Sequence, residues 1–86
     1  MYEILLTKTS HRFYDDADPV LVRKLHHCFD VLRDSPHRHP SIKRLTGPLA
    51  GYLRYRMGDW RVVYEVQERE KRVVVVLIAH RSEAYG

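Results

Sequence analysis

The sequence has little of what marks secreted and membrane proteins. Its 86 residues contain one cysteine, Cys28, so no disulfide can form within the chain. No apolar run approaches the length of a membrane span, and no signal peptide precedes the first strand-like segment. We therefore expect a reducing, cytoplasmic location and no membrane partner.

The six histidines and the lone cysteine do not form a metal-binding motif. His37 and His39 lie in a proline-flanked loop, and His26 and His27 are adjacent on a predicted helix, so both pairs point in different directions. Cys28 is most simply a small buried packing group, with a reactive thiol as the alternative. We expect no metal and no cofactor.

Positive charge is concentrated in the second part of the chain. Residues 1–35 carry five Lys/Arg and six Asp/Glu, a net charge of −1, whereas residues 36–86 carry ten and five, a net charge of +5. This basic part is also rich in strand-like segments, which indicates a polyanionic partner. Ordinary solubility charge explains the total of +4, but it explains the clustering of arginines less well. Basic residues of the first part, such as Arg23 and Lys24, are interpreted as a solvated helix face.

The first part of the chain predicts one strand followed by helices. Tyr2–Leu6 is short and apolar and predicts a strand, after which Thr9 or Ser10 caps a brief helical segment. Asp18 and Pro19 combine a capping carboxylate with proline at the first helical position. They begin an amphipathic helix of about four turns.

The second part of the chain predicts three strands. Residues 35–49 are interpreted as a connecting loop, within which residues 43–45 form a turn of helix. Residues 51–66 contain a hairpin, and the apolar run at 73–78 predicts a strand that is buried on both faces and central in its sheet. We expect a single α+β domain over residues 1–86, with an N-terminal strand, one or two helices and a three-stranded antiparallel meander.

The hairpin carries the strongest functional signal. Two alternating segments, residues 51–57 and 60–66, flank a two-residue turn that begins at Gly58, where a left-handed backbone is needed. Closing this turn sets Arg56 directly opposite Arg61. Two cations across a strand pair are unfavourable for the fold, which indicates that an anionic ligand accounts for them.

The alternation gives the hairpin one apolar face and one basic face. The apolar face is expected to be core and contains Leu53, Tyr55, Met57, Trp60, Val62 and Tyr64. The basic face contains Arg54, Arg56 and Arg61, and three neighbouring guanidiniums suit a phosphate. The alternatives are solvated edge charges for Arg54 and Arg56, and a salt bridge from Arg61 to Glu65 or Glu83.

Three further residues are candidate RNA contacts. Tyr52 falls on the basic face and could stack on a base, with simple packing as an equal alternative. Lys43 and Arg44 precede the hairpin and add to its positive charge.

Three motifs together resemble those of the RelE-type toxins of type II toxin–antitoxin systems, in the RelE/ParE superfamily. They are an L-x-G-x-L-x-G pattern from Leu45 to Gly51, the basic hairpin with Trp60-Arg61-Val62-Val63-Tyr64, and a terminal His80-Arg81-Ser82-Glu83-Ala84-Tyr85. The combination covers roughly the last half of the chain and is far more specific than any one motif. The resemblance implies a RelE-like, microbial-RNase-type fold.

The resemblance also implies an activity and two partners. Such a toxin enters the ribosomal A site and cleaves messenger RNA without a metal, as the ribose 2′-hydroxyl attacks the adjacent phosphate and the 5′-oxygen leaves. A cognate RelB-like antitoxin neutralises it. By resemblance, Arg54, Arg56 and Arg61 hold the phosphate, Arg81 lies near the leaving oxygen, and Tyr85 orients or deprotonates the 2′-hydroxyl.

Some features depart from the family pattern and keep alternatives open. Some members carry lysines where Arg54 and Arg56 stand, and a guanidinium is a poor proton donor. One arginine follows the last strand where some members have two or three, so His80 is an alternative acid for the leaving oxygen. Tyr85 could instead cover the sheet edge. The alternative functions are a ParE-like toxin that binds DNA gyrase without cleaving RNA, and an inactive nucleic-acid-binding relative.

Overall fold

A computed structural model describes residues 1–82. Five strands form one mixed sheet in the order β1-β5-β4-β3-β2, with β1 parallel to β5 and the other neighbours antiparallel. Neither described helix combines the length and the apolar character needed to cross a membrane. The helices and strands are β1 (Glu3–Leu6), α1 (Lys8–Asp16), α2 (Pro19–Asp34), β2 (Ile42–Arg44), β3 (Leu53–Met57), β4 (Trp60–Gln67) and β5 (Arg72–His80), and a 3₁₀ turn spans Gly47–Leu49.

Helix α2 forms as its sequence predicts and packs on one face of the sheet. The Asp18 side chain accepts a hydrogen bond from the Leu21 N–H at 2.8 Å, and Pro19 occupies the first turn. The predicted apolar face of the hairpin is confirmed as core, with Trp60 packed at its margin. Burial raises the pKa of the Cys28 thiol, which keeps it protonated in the core. The α2 residues of this core are Leu21, Leu25, Cys28, Phe29 and Leu32.

Helix α1 begins earlier than the sequence predicts. The cap is Thr7, whose Oγ1 accepts from the Ser10 N–H at 3.3 Å, so the prediction of Thr9 or Ser10 as the cap is wrong. Ser10 lies inside the helix and is 1% exposed. Its hydroxyl donates to the Val75 carbonyl oxygen at 2.7 Å and thereby attaches α1 to β5.

The segment before the hairpin contains a strand that its composition does not suggest. Ile42–Arg44 forms β2 and pairs antiparallel with β3, so the turn of helix predicted at residues 43–45 is wrong. A three-residue strand is too short to show alternation, and its backbone hydrogen bonds come from β3. The sheet consequently has five strands, one more than expected.

Strand β5 lies between β1 and β4 and carries a β-bulge. Its register with β4 shifts between Val63 and Tyr64, so that Val76 is an extra residue on β5. A bulge reverses the alternation of side chains beyond it. As a result His80 lies opposite Trp60, and Ala79 lies opposite Arg61.

Glu68 follows β4, at the end of that strand away from the Gly58 turn, and its side chain connects three segments of the chain. Its carboxylate accepts hydrogen bonds from Tyr2 Oη at 2.6 Å, His37 Nε2 at 2.7 Å and Lys71 Nζ at 2.8 Å. The Lys71 ammonium also lies 5.0 Å from the centre of the Tyr2 ring. These partners, with Lys71 first, lower the pKa of Glu68 to about 2.

The Ser10 contact predicts a position-specific loss of stability. We expect Ser10→Ala to lower the free energy of unfolding by about 1–2 kcal/mol, because the buried Val75 carbonyl loses one of its donors. The neighbouring Thr9 is exposed, and Thr9→Ala should change stability by no more than about 0.5 kcal/mol. Urea denaturation of both variants tests this, and equal effects at the two positions would contradict it.

The Glu68 contacts predict a pH dependence of known sign. A carboxyl whose pKa is lowered in the folded state stabilises the fold above its unfolded pKa, near about 4.3, and loses that contribution as the pH falls toward about 2. Glu68→Gln should therefore shrink the difference in urea midpoint between pH 6 and about pH 3. Glu70→Gln in the same turn serves as the control, and an undiminished difference in Glu68→Gln would exclude this role.

Candidate phosphate-binding site

The hairpin has the register that its turn predicts. Gly58 has φ +59°, a left-handed conformation that favours glycine. Met57 pairs with Trp60, and Arg56 pairs with Arg61. Arg54 pairs with Val63, so all three arginines share the face of the sheet opposite the core.

Two guanidiniums converge on one backbone oxygen. Arg61 Nη1 donates to the Gly58 carbonyl at 3.0 Å and to the Trp60 carbonyl at 3.1 Å. Arg56 Nε lies 3.4 Å from the same Gly58 oxygen. A carbonyl dipole offsets part of the repulsion without neutralising either charge. Both side chains therefore lie close enough to contact a single phosphate.

The basic face continues across β3 to β2. Arg54 Nη1 donates to the Ser41 carbonyl oxygen at 2.8 Å, which holds its half-buried side chain toward β2. Lys43 pairs with Arg54 across the two strands, so its exposed side chain lies on the same face. We call Lys43, Arg54, Arg56 and Arg61 the arginine face.

The charges of the arginine face are not neutralised within the described part of the chain. Among residues 1–82, no salt bridge involves Lys43 or the three arginines of this face. Glu65, the carboxylate considered as a partner of Arg61, instead accepts from Gln67 Nε2 at 3.2 Å. Val63 lies on this face and is 1% exposed, so part of the sheet surface beneath the cations is apolar.

Arg81 lies beside the turn and has a partner that the sequence analysis did not single out. Its backbone N–H donates to the Asp59 carbonyl oxygen at 2.6 Å, and its Nε is 3.6 Å from Asp59 Oδ1. Asp59 follows Gly58, so Arg81 is held at the same end of the hairpin as Arg56 and Arg61. From the sequence alone, Asp59 is interpreted only as a turn residue, because nothing local indicates its contact with Arg81.

The structure places His80 and Arg44 away from the arginine face. The His80 ring contacts Trp60 edge-on at 5.2 Å between ring centres, because the bulge turns His80 toward the core side of the sheet. Ser82 N–H donates to His80 Nδ1 at 3.3 Å. Arg44 pairs with the buried Leu53, which puts Arg44 on the core side as well.

Of the two candidate tyrosines, Tyr52 lies within the described residues. Tyr52 precedes β3 and lines a separate hollow of about 370 Å³ together with Arg44 and Leu45. Tyr85, the candidate for orienting the 2′-hydroxyl, lies outside the described residues, as does Glu83, the other carboxylate considered for Arg61.

The fold and the arginine face define a class of protein, a small α+β domain with a cluster of cations on one face of its sheet. Similarity to known proteins identifies the family within this class. A family model described as "ParE toxin of type II toxin-antitoxin system, parDE" matches residues 4–85. Toxin RelE of Mycobacterium tuberculosis is 32% identical over 85 residues, covering 98% of this chain and 86% of that protein.

Solved structures agree with the sequence relatives. The toxin–antitoxin complex RelBE2 from Mycobacterium tuberculosis matches at 28% identity with a TM-score of 0.80, covering 93% of this chain and 98% of the matched chain. The archaeal RelE–RelB complex from Pyrococcus horikoshii OT3 matches in fold with a TM-score of 0.79 at 23% identity, covering 96% of this chain and 98% of the matched chain. The chain belongs to the RelE/ParE superfamily and is a RelE homologue among the toxins of type II toxin–antitoxin systems.

The arginine face predicts that removing one of its opposed cations weakens phosphate binding without lowering the stability of the fold. We expect Arg56→Ala to leave the melting temperature unchanged or slightly raised, because it removes a like charge from opposite Arg61. Added phosphate should raise the melting temperature of the unsubstituted protein more than that of the variant. Arg44→Ala, on the other side of the sheet, should keep the full response to phosphate. Equal responses in both variants would contradict a phosphate site at Arg56.

Proposed function

We propose that this toxin is a ribosome-dependent endoribonuclease that cleaves messenger RNA in the ribosomal A site and thereby arrests growth. The observation that carries the proposal is the arginine face, where Arg54, Arg56 and Arg61 stand together without a described carboxylate partner. The identity of 32% to Toxin RelE of Mycobacterium tuberculosis supports it.

The proposed reaction is a transfer within the RNA chain. The 2′-hydroxyl oxygen forms a bond to the adjacent phosphorus, its proton passes to a base, and the bond from phosphorus to the 5′-oxygen breaks as that oxygen gains a proton. Negative charge grows on the nonbridging oxygens, and cations already in place stabilise it. Arg56 and Arg61, which meet at the Gly58 oxygen, are the pair we assign to those oxygens.

The remaining roles follow from position. Arg54 and Lys43 extend the cationic surface along the sheet and suit the flanking phosphates. Arg81, held by Asp59 at the turn, is assigned to stabilise the leaving oxygen, which takes its proton from water. Tyr85 is assigned to the 2′-hydroxyl by its match to the family motif. His80 is left out of the proton transfers because it faces Trp60.

The proposed partners are the ribosome with messenger RNA in its A site and a RelB-like antitoxin. The ribosome supplies a polyanionic surface, which a chain of net charge +4 approaches favourably. An antitoxin would neutralise the toxin by covering its cations or by blocking its entry to the ribosome.

Arg61→Ala should reduce messenger RNA cleavage by about 100-fold or more, because one preorganised cation is lost from the transition state. The measurement is primer extension on a message translated by purified ribosomes. Circular dichroism establishes that the variant is folded. Arg69→Ala removes the same charge from the exposed turn between β4 and β5 and should cleave normally. A folded Arg61→Ala protein with full activity would place the reaction elsewhere.

A second candidate function rests on the family model, whose description names ParE. In that case the protein poisons DNA gyrase by binding it and cleaves no RNA. The same primer extension separates the two functions. Cuts in phase with the codons support the nuclease, whereas no cuts together with DNA damage and inhibited gyrase supercoiling support the gyrase poison.

A further inference from the structure

Each pair of opposed cations in the proposed site is held by a backbone carbonyl. The Gly58 oxygen holds Arg56 and the arginine opposite it, in a turn whose shape glycine provides. Lys43 lies opposite Arg54 and carries the same charge, so the two side chains repel each other. Arg54 is nevertheless directed toward β2, because its Nη1 donates to the Ser41 carbonyl oxygen at 2.8 Å. The position of that oxygen therefore determines where the charge of Arg54 lies.

The Ser41 carbonyl belongs to a tight turn that leads into β2. Residues 39–42 form this turn, which we call the β2 turn, and the Ile42 N–H donates to the His39 carbonyl oxygen at 2.9 Å. Pro40 occupies its second position, where the fixed φ of proline suits such a turn. Strand β2 has three residues, so the β2 turn is a large part of what holds the start of this strand in place.

The His39 side chain closes the β2 turn. Its Nδ1 accepts a hydrogen bond from the Ser41 N–H at 3.1 Å, which requires the neutral ring with its proton on Nε2. An Asp or Asn at the first position of a turn makes the same bond to the N–H two residues on. The His39 ring also packs on Tyr55, with 5.4 Å between ring centres, and Tyr55 is 4% exposed. His39 thus connects the turn that carries the Ser41 oxygen to the core.

The Ser41 backbone is held from two directions. From β3, the Arg56 N–H donates to the Ser41 oxygen at 3.0 Å, and from the β2 turn the His39 ring accepts from the Ser41 N–H. Without the ring nitrogen this half-buried N–H loses its acceptor, and the turn relaxes to bring the N–H to water. The repulsion from Lys43 then moves the Arg54 guanidinium away from β2.

We propose that His39 is a positioning residue for Arg54 and acts through its hydrogen bond with the Ser41 N–H. The inference rests on the proposed function, in which Arg54 binds a phosphate next to the attacked one. The His39 ring packs on Tyr55, on the core side of the sheet, whereas the arginine face lies on the other side. His39 therefore does not touch the phosphate, and its effect on RNA passes through the Ser41 oxygen and Arg54.

Two substitutions separate the hydrogen bond from the ring contact. His39→Phe keeps a ring against Tyr55 and removes the acceptor, whereas His39→Asn removes the ring and keeps an acceptor for the N–H two residues on. We expect His39→Phe to bind a short, fluorescently labelled single-stranded RNA about fivefold more weakly, and His39→Asn to bind it within about twofold of the unsubstituted toxin. Fluorescence anisotropy at several salt concentrations is the measurement. In His39→Phe the salt dependence, the slope of log K against log salt, should fall by about 0.7, because one phosphate contact is lost.

Cleavage kinetics on purified ribosomes give a second readout. Arg54 is assigned to a flanking phosphate, which it contacts equally in the ground state and in the transition state. His39→Phe should therefore raise KM by about fivefold and leave kcat within about threefold of its normal value. His39→Asn should restore the normal KM.

Arg54→Ala provides the background that tests the route. Since His39 acts through Arg54, adding His39→Phe to Arg54→Ala should change RNA binding by less than about twofold. His37→Phe is the matched control in the same loop, because His37 Nε2 bonds Glu68 and not the β2 turn. It should bind RNA within about twofold of the unsubstituted toxin. Circular dichroism establishes folding, and His39→Leu, which lacks the same acceptor, replaces His39→Phe if that variant is unfolded.

Each outcome discriminates. RNA binding that is unchanged in His39→Phe overturns the inference. An equal loss in His39→Asn also overturns it and assigns the effect to the ring contact, and so does a loss that persists in the Arg54→Ala background. If the variants bind RNA in the expected pattern but the unsubstituted toxin cleaves no message on ribosomes, the proposed function fails and the role of His39 stands.

Discussion

Two positive charges held opposite each other, Arg56 and Arg61, are the constraint on which the site depends. The turn at Gly58 fixes the register that opposes them, and its carbonyl oxygen accepts from both guanidiniums. A neutral acceptor orients a cation without cancelling its charge. The apolar face of the same hairpin, where Val62 and Tyr64 are fully buried, anchors this arrangement to the core. The hairpin therefore contributes to the core on one side and presents its three arginines on the other.

A single irregularity in β5 links the sheet edge to the site. Strand β1 pairs with β5 as far as Val75, where Thr7 and Ser10 both donate to its carbonyl oxygen, and the bulge begins at the next residue. The extra residue turns His80 toward Trp60 and sets Ala79 opposite Arg61. The bulge thus lies between the contacts that hold the start of α1 and the strand end that faces Trp60 and Arg61.

The sequence by itself determined α2 and the hairpin. The Asp18 cap, the Gly58 turn and the period-two alternation are local signals, because each depends only on residues that are near one another in the chain. Opposed arginines were predictable for the same reason. Only the tertiary structure decided β2, whose pairing with β3 puts Lys43 on the arginine face and Arg44 on the core side. It also decided the bulge in β5, which turns His80 away from the arginine face. A short strand and an extra residue depend on hydrogen bonds to segments distant in the chain, and such bonds leave no period in the sequence.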